Sequence, residues 1–121
     1  MKTVLVVDDS VYMRSLIKKY IGELDVQVVG EAEDGKEAVE KYIELKPDIV
    51  TLDLAMLELD GIEALKEIKQ HNPEANVIVV SSTTNQSAVV DRVMAAGAST
   101  IVNKPILKED LLGVFEEIMK K

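Results

Sequence analysis

At 121 residues the chain has room for one domain with one core, expected to span residues 1–121, and it holds no apolar run long enough for membrane insertion. The absence of cysteine excludes disulfides and thiolate metal sites and, with no signal-peptide pattern at Met1-Lys2-Thr3, suits a cytoplasmic protein. A formal net charge of -8 argues against nucleic-acid partners, since phosphate backbones attract basic surfaces, and suits a cation or a partner with a basic face.

In chain order, short β-branched runs alternate five times with amphipathic segments, without linker or repeat. Val4 to Val7 is the first strand and ends on Asp8-Asp9. Ser10 then caps a helix with Met13, Leu16, Ile17, Tyr20, Ile21 and Leu24 on one face. Val26, Val28 and Val29 form a second, mixed strand. After Asp34-Gly35 comes a helix with Ala38, Val39, Tyr42 and Ile43 inward, closed by Pro47. The third strand, Asp48 to Asp53, is an apolar run that stops on a carboxylate. Asp60-Gly61 precedes a helix striped by Ile62, Leu65 and Ile68 and ended at Asn72-Pro73. Val77 to Val80 is a fourth strand, followed by Ser81. Val89, Val90, Val93 and Met94 stripe the next helix, which Gly97 terminates through its left-handed conformation. Ile101-Val102 is a short fifth strand, and Leu111, Leu112, Phe115, Ile118 and Met119 stripe a last helix.

This alternation implies βαβ units with right-handed crossovers. The first, third and fourth strands are near-continuous apolar runs, as strands covered on both faces are, whereas the second and fifth suit edges. The expected fold is therefore α/β, a doubly wound, flavodoxin-like (βα)5 unit with a five-stranded parallel sheet of order 2-1-3-4-5. Its topological switch point lies between strands one and three, so Asp8, Asp9 and Asp53 are expected to meet in the crevice where such folds bind ligands.

Three carboxylates in one crevice repel one another, and a hard divalent cation relieves the conflict. Magnesium takes oxygen ligands, keeps several waters and commonly joins one or two protein carboxylates to a phosphate. With such a cation present an aspartate can attack a phosphoryl group and form an aspartyl phosphate. That reaction needs mainly positioning and charge neutralisation. Lys104 after the fifth strand offers the cationic charge and Ser81 after the fourth a hydroxyl donor, a part that falls to Ser82 or Thr83 if the strand ends later.

The set Val7-Asp8-Asp9-Ser10, Asp53 with Met56 and Asp60-Gly61, Ser81, Gly97-Ala98 and Lys104-Pro105 resembles the receiver (CheY-like) domain of two-component response regulators, over essentially the whole chain. Val7 to Ser10 and Met13-Arg14 look closest to chemotaxis-type single-domain regulators and to the receiver of the chemotaxis methylesterase, and Val80-Ser81-Ser82 leans toward the latter. The resemblance implies that Asp53 accepts a phosphoryl group from a sensor histidine kinase. It implies that Asp9, Asp53 and the backbone carbonyl of Ala55 bind Mg2+ directly, that Asp8 acts on it through water, and that Ser81 and Lys104 grip the phosphoryl oxygens. Such a protein is not a classical enzyme, yet it catalyses its own Mg2+-dependent phosphorylation and dephosphorylation. Its output is a switched surface for a downstream protein, expected at the fourth helix, fifth strand and fifth helix of a monomer. A cis Lys104-Pro105 bond also fits the resemblance.

The sequence departs from the family at Leu57, where proline is usual, at Ile101, where many members carry the switching aromatic, and at Ile106. A flavin module on the same fold is disfavoured, because Asp8-Asp9 repels phosphate and aromatic residues are few. A phosphorylation-independent docking module is the remaining alternative, although such proteins usually lack part of the acid–lysine set that this chain keeps. Glu31, Glu33 and Asp34 read as a solvated rim, His71 as a surface residue, and the methionines mostly as core.

Overall fold

A computed structural model of the chain describes residues 1–54, 61–82 and 87–120. The elements run β1 (Lys2–Val7), α1 (Val11–Ile21), β2 (Val26–Ala32), α2 (Gly35–Leu45), β3 (Ile49–Asp53), α3 (Gly61–His71), β4 (Asn76–Ser81), α4 (Ser87–Ala95), β5 (Thr100–Asn103) and α5 (Lys108–Met119). The sheet is parallel throughout, in the order β2-β1-β3-β4-β5. The expected fold class and strand order are therefore found.

Side chains alternate across a strand, so each central strand feeds two apolar layers. Leu5, Val7, Val50, Leu52, Val77 and Val79 pack with Ala38 and Tyr42 of α2, Leu65 and Ile68 of α3 and Val93 of α4. On the opposite face, Val4, Val6, Ile49, Ile78, Val80 and Val102 meet Ile17 and Ile21 of α1 and Leu111, Phe115 and Ile118 of α5. The central strands are buried on both faces, which is why they read as unbroken apolar runs.

The mixed pattern of β2 has a physical cause. Its register against β1 slips by one residue, with Val4 opposite Val28 but Leu5 opposite Gly30. A slip of one residue exchanges the two faces. Glu31 thereby comes opposite Val6, on the α1 side.

The helix ends follow local chemistry. Ser10 accepts the Met13 N–H at 3.2 Å to start α1. Asp34 accepts the Glu37 N–H at 2.8 Å to start α2, while the Glu37 carboxylate accepts the Glu33 N–H at 2.8 Å. Asp34→Ala should cost about 1 kcal/mol, read as a lower urea midpoint, because it orphans one amide of the first turn. Gly97, at φ +108°, closes α4 as expected.

Some expected stripes need correcting. Ile43 is 45% exposed because Tyr42 and Leu45, not Ile43, face the sheet from α2. Met94 is likewise 45% exposed on α4, Met1 is 74% exposed, and Met13 and Met119 only edge the core. Leu24 lies beyond α1, which ends at Ile21, yet still packs against the core. Asp34 is a cap rather than a rim residue, whereas His71 is exposed as expected.

Candidate functional site

Asp8 and Asp53 are carried to the carboxyl edge by β1 and β3, which pair directly, Val7 lying opposite Leu52. Both are nearly buried, at 1% and 3% exposure, and Asp9 beside them is exposed. Carboxylate oxygens of Asp8, Asp9 and Asp53 lie within 4.8 Å of one another. Lys104, just beyond β5, reaches in with its ammonium 3.2 Å from Asp53 Oδ1 and 3.6 Å from Asp8 Oδ2.

The backbone fixes that reach. Ser81 ends β4 opposite Asn103, and its carbonyl accepts the Lys104 N–H at 3.0 Å. Ser81 itself is 5% exposed. The next bond, Lys104-Pro105, is cis. Asp53 pairs with Val80, the neighbour of Ser81, so acid, serine and lysine leave adjacent strands at the same height. Ala55, Met56, Leu57, Asp60 and Thr83 lie outside the described residues, and the readings made on them stay with the sequence.

Burial pushes the Asp8 carboxyl above its ordinary value, since a charge is costly where water is excluded. The Ser10 N–H, donated to Asp8 Oδ1 at 2.9 Å, opposes this, the neighbouring Asp53 charge adds to it, and Lys104 offsets part. The second oxygen, Oδ2, is buried and makes no hydrogen bond. Three carboxylates against one ammonium leave two negative charges in the crevice. A hard divalent cation fits both features: it supplies the missing charge and takes oxygen donors.

The sequence reading gives Arg14 no structural role and places Glu31 on a solvated rim, and the structure corrects both. Arg14 is 8% exposed and donates from Nη1 to the Asp8 carbonyl at 2.6 Å. Glu31 is no rim acid but takes Arg14 Nε at 3.0 Å and Lys18 Nζ at 2.8 Å, which hold its carboxyl below the usual range, Lys18 most strongly. The available signal was position: Arg14 stands three before Ile17 and seven before Ile21, on the buried face of α1.

A separate cleft of about 510 Å3, lined by residues including Tyr42, Lys46, Asp48, His71 and Asn72, opens at the amino ends of β3 and β4. It is at the opposite end of the sheet and contains none of the acid–lysine set.

A parallel 2-1-3-4-5 sheet with acids at its switch point and a lysine across from them defines a receiver, and the chain belongs to the response regulator receiver domain family, whose pattern matches residues 4–116. Among its relatives is the chemotaxis protein CheY of Listeria monocytogenes, 45% identical over 120 residues that cover 99% of this chain and 100% of that protein. In structure it is similar to the response regulator domain of Thermotoga maritima CheB, with TM-score 0.88, 41% identity, and coverage of 99% of this chain and 95% of that one. It is also similar to a chain of the CheX-CheY-BeF3-Mg+2 complex of Borrelia burgdorferi, with TM-score 0.93, 32% identity, and coverage of 99% and 90%. The chain is thus a receiver domain of the CheY-like chemotaxis response regulators.

Proposed function

We propose that the chain, as one receiver domain over residues 1–121, takes a phosphoryl group from a sensor histidine kinase onto Asp53 and thereby switches a surface for a downstream chemotaxis protein. The observation that carries this is Asp53 itself: nearly buried, 3.2 Å from the Lys104 ammonium and beside two further acids. In the transfer, an Asp53 carboxylate oxygen bonds to phosphorus as the phosphorus–nitrogen bond of phosphohistidine breaks. The nitrogen keeps the electron pair and takes up a proton, and water later hydrolyses the acyl phosphate.

Asp9, Asp53 and the Ala55 carbonyl would hold Mg2+ directly and Asp8 would act through water. Bound magnesium would supply the charge that lets a carboxylate approach an anionic phosphoryl group. The Borrelia complex, by its name, holds BeF3 and Mg+2, a phosphoryl stand-in with the same cation. Lys104 neutralises phosphoryl oxygens and Ser81 donates its hydroxyl to them. These contacts exist only in the phosphorylated state, so they supply the differential free energy that shifts a two-state equilibrium. The switched surface is α4, β5 and α5, on a cytoplasmic monomer that binds neither nucleic acid nor membrane.

Intact mass after incubation with a small-molecule phosphodonor tests the reading. One Mg2+-dependent phosphoryl adduct is expected in the wild type and none in Asp53→Asn. If magnesium binds and no adduct forms, Asp53 is not a phosphoacceptor, and the chain is better treated as a constitutive docking module.

A further inference from the structure

Arg14 is a buried charge that the proposed chemistry leaves unused. Its guanidinium is shared between two acceptors on different elements: the Asp8 carbonyl at 2.6 Å and Glu31 Oε1, on β2, at 3.0 Å. Glu31 is held in turn, its other carboxylate oxygen by Lys18 Nζ at 2.8 Å and its backbone carbonyl by Lys41 Nζ from α2 at 2.6 Å. Arg14 therefore works from a fixed base.

The Asp8 carbonyl belongs to the peptide that joins Asp8 to Asp9. A peptide is planar, so anchoring its oxygen sets the direction in which the chain enters Asp9. Asp8 is already secured, its N–H donated to the Ala32 carbonyl at 3.0 Å and its Oδ1 accepting from Ser10. Asp9 has no such enclosure; it is exposed, yet its carboxylate lies within 4.8 Å of those of Asp8 and Asp53.

We infer that Arg14, braced by Glu31, is a positioning residue that orients the Asp8–Asp9 peptide so that Asp9 faces the cation site. The inference rests on the cation reading above. It makes a distinctive demand, because removing a positive charge close to a cation site should, by relief of Coulomb repulsion alone, tighten cation binding. Lost positioning does the reverse. Residues that orient metal ligands typically change affinity by about 10–100-fold when replaced.

The test is calorimetric titration of the full chain with Mg2+, beside urea unfolding without cation. Arg14→Met should weaken Mg2+ binding by about tenfold. Arg14→Lys should do the same while keeping the charge, because an ammonium does not reproduce the planar two-acceptor fork. Lys120→Gln, which removes an exposed charge at the end of α5 and touches no member of the Arg14–Glu31 network, should bind Mg2+ like the wild type. Should Arg14→Met not fold, Arg14→Lys carries the same expectation. A residue that only stabilised the fold would lower the urea midpoint and leave affinity alone. Folded Arg14 variants with wild-type or tighter affinity therefore overturn the inference, provided that wild type binds Mg2+ and Asp9→Asn does not. If the wild type takes up no Mg2+, the cation reading fails and the positioning role falls with it.

Discussion

Gly61→Ala is expected to destabilise the protein by about 3 kcal/mol, the upper part of the overpacking range, and to reduce phosphoryl-adduct formation at the same time. Gly61 opens α3, and its N–H donates to the Leu54 carbonyl at 3.0 Å, which draws the helix start against the end of β3. A Cβ there would lie 2.5 Å from Leu54 Cα and 2.8 Å from the Asp53 carbonyl oxygen. Both are backbone atoms, so no rotamer change clears the contact. Moving α3 outward would lift Ala64, Leu65 and Ile68, all at 0% exposure, from the core. The strand end, Asp53 included, is therefore what yields. A lower urea midpoint together with a reduced adduct yield would bear this out. An unchanged midpoint would mean that the chain after Leu54 absorbs the methyl at no cost.

That coupling between core and crevice explains which parts of the molecule were legible in the sequence. The sheet order followed from which strands were apolar throughout, since covering both faces of β1, β3 and β4 leaves no polar alternation to write. Asp8 and Asp53 were legible because an acid ending such a run has nowhere to be except the sheet edge. Other features depend on register, which composition does not record. The slip between Val4 and Leu5 turns Glu31 toward α1, and only then does Glu31 become the partner of Arg14. Without it, Glu31 reads as a rim acid and Arg14 has no partner in view. Ile43 misled for the opposite reason. It neighbours a truly buried Tyr42, and the inner face of α2 continues to Leu45 instead. The roles of individual site residues are a further step that geometry supports and that the titrations and mass measurements above address.

The largest electrostatic effect should come from Asp8. With a chelator present at neutral pH, Asp8→Asn is expected to stabilise the protein, by about 1–3 kcal/mol on the scale of an unsatisfied buried group. Ionised Asp8 is buried, faces Asp53, and has one oxygen without a hydrogen bond, while the Ser10 N–H keeps an acceptor, though a weaker one, in an asparagine oxygen. The sign follows from linkage. The folded carboxyl is raised above its unfolded value of about 3.9, so between those two values the native state binds more protons than the unfolded one. Asp8 therefore subtracts stability as pH rises through that window, and the loss stays constant above it. Glu31 and Asp48, both lowered, act oppositely and lose their stabilisation as pH falls. The wild-type profile alone mixes these contributions, whereas the difference between Asp8→Asn and wild type isolates Asp8. That difference should be small at the acid end of the window, grow with pH and then level off. Adding Mg2+ should close the gap, because a cation that binds only the native state stabilises whichever protein still has the acid. A variant less stable than wild type at neutral pH without cation would mean that the Lys104 pairing outweighs the cost of burial, and that the crevice is satisfied without a metal.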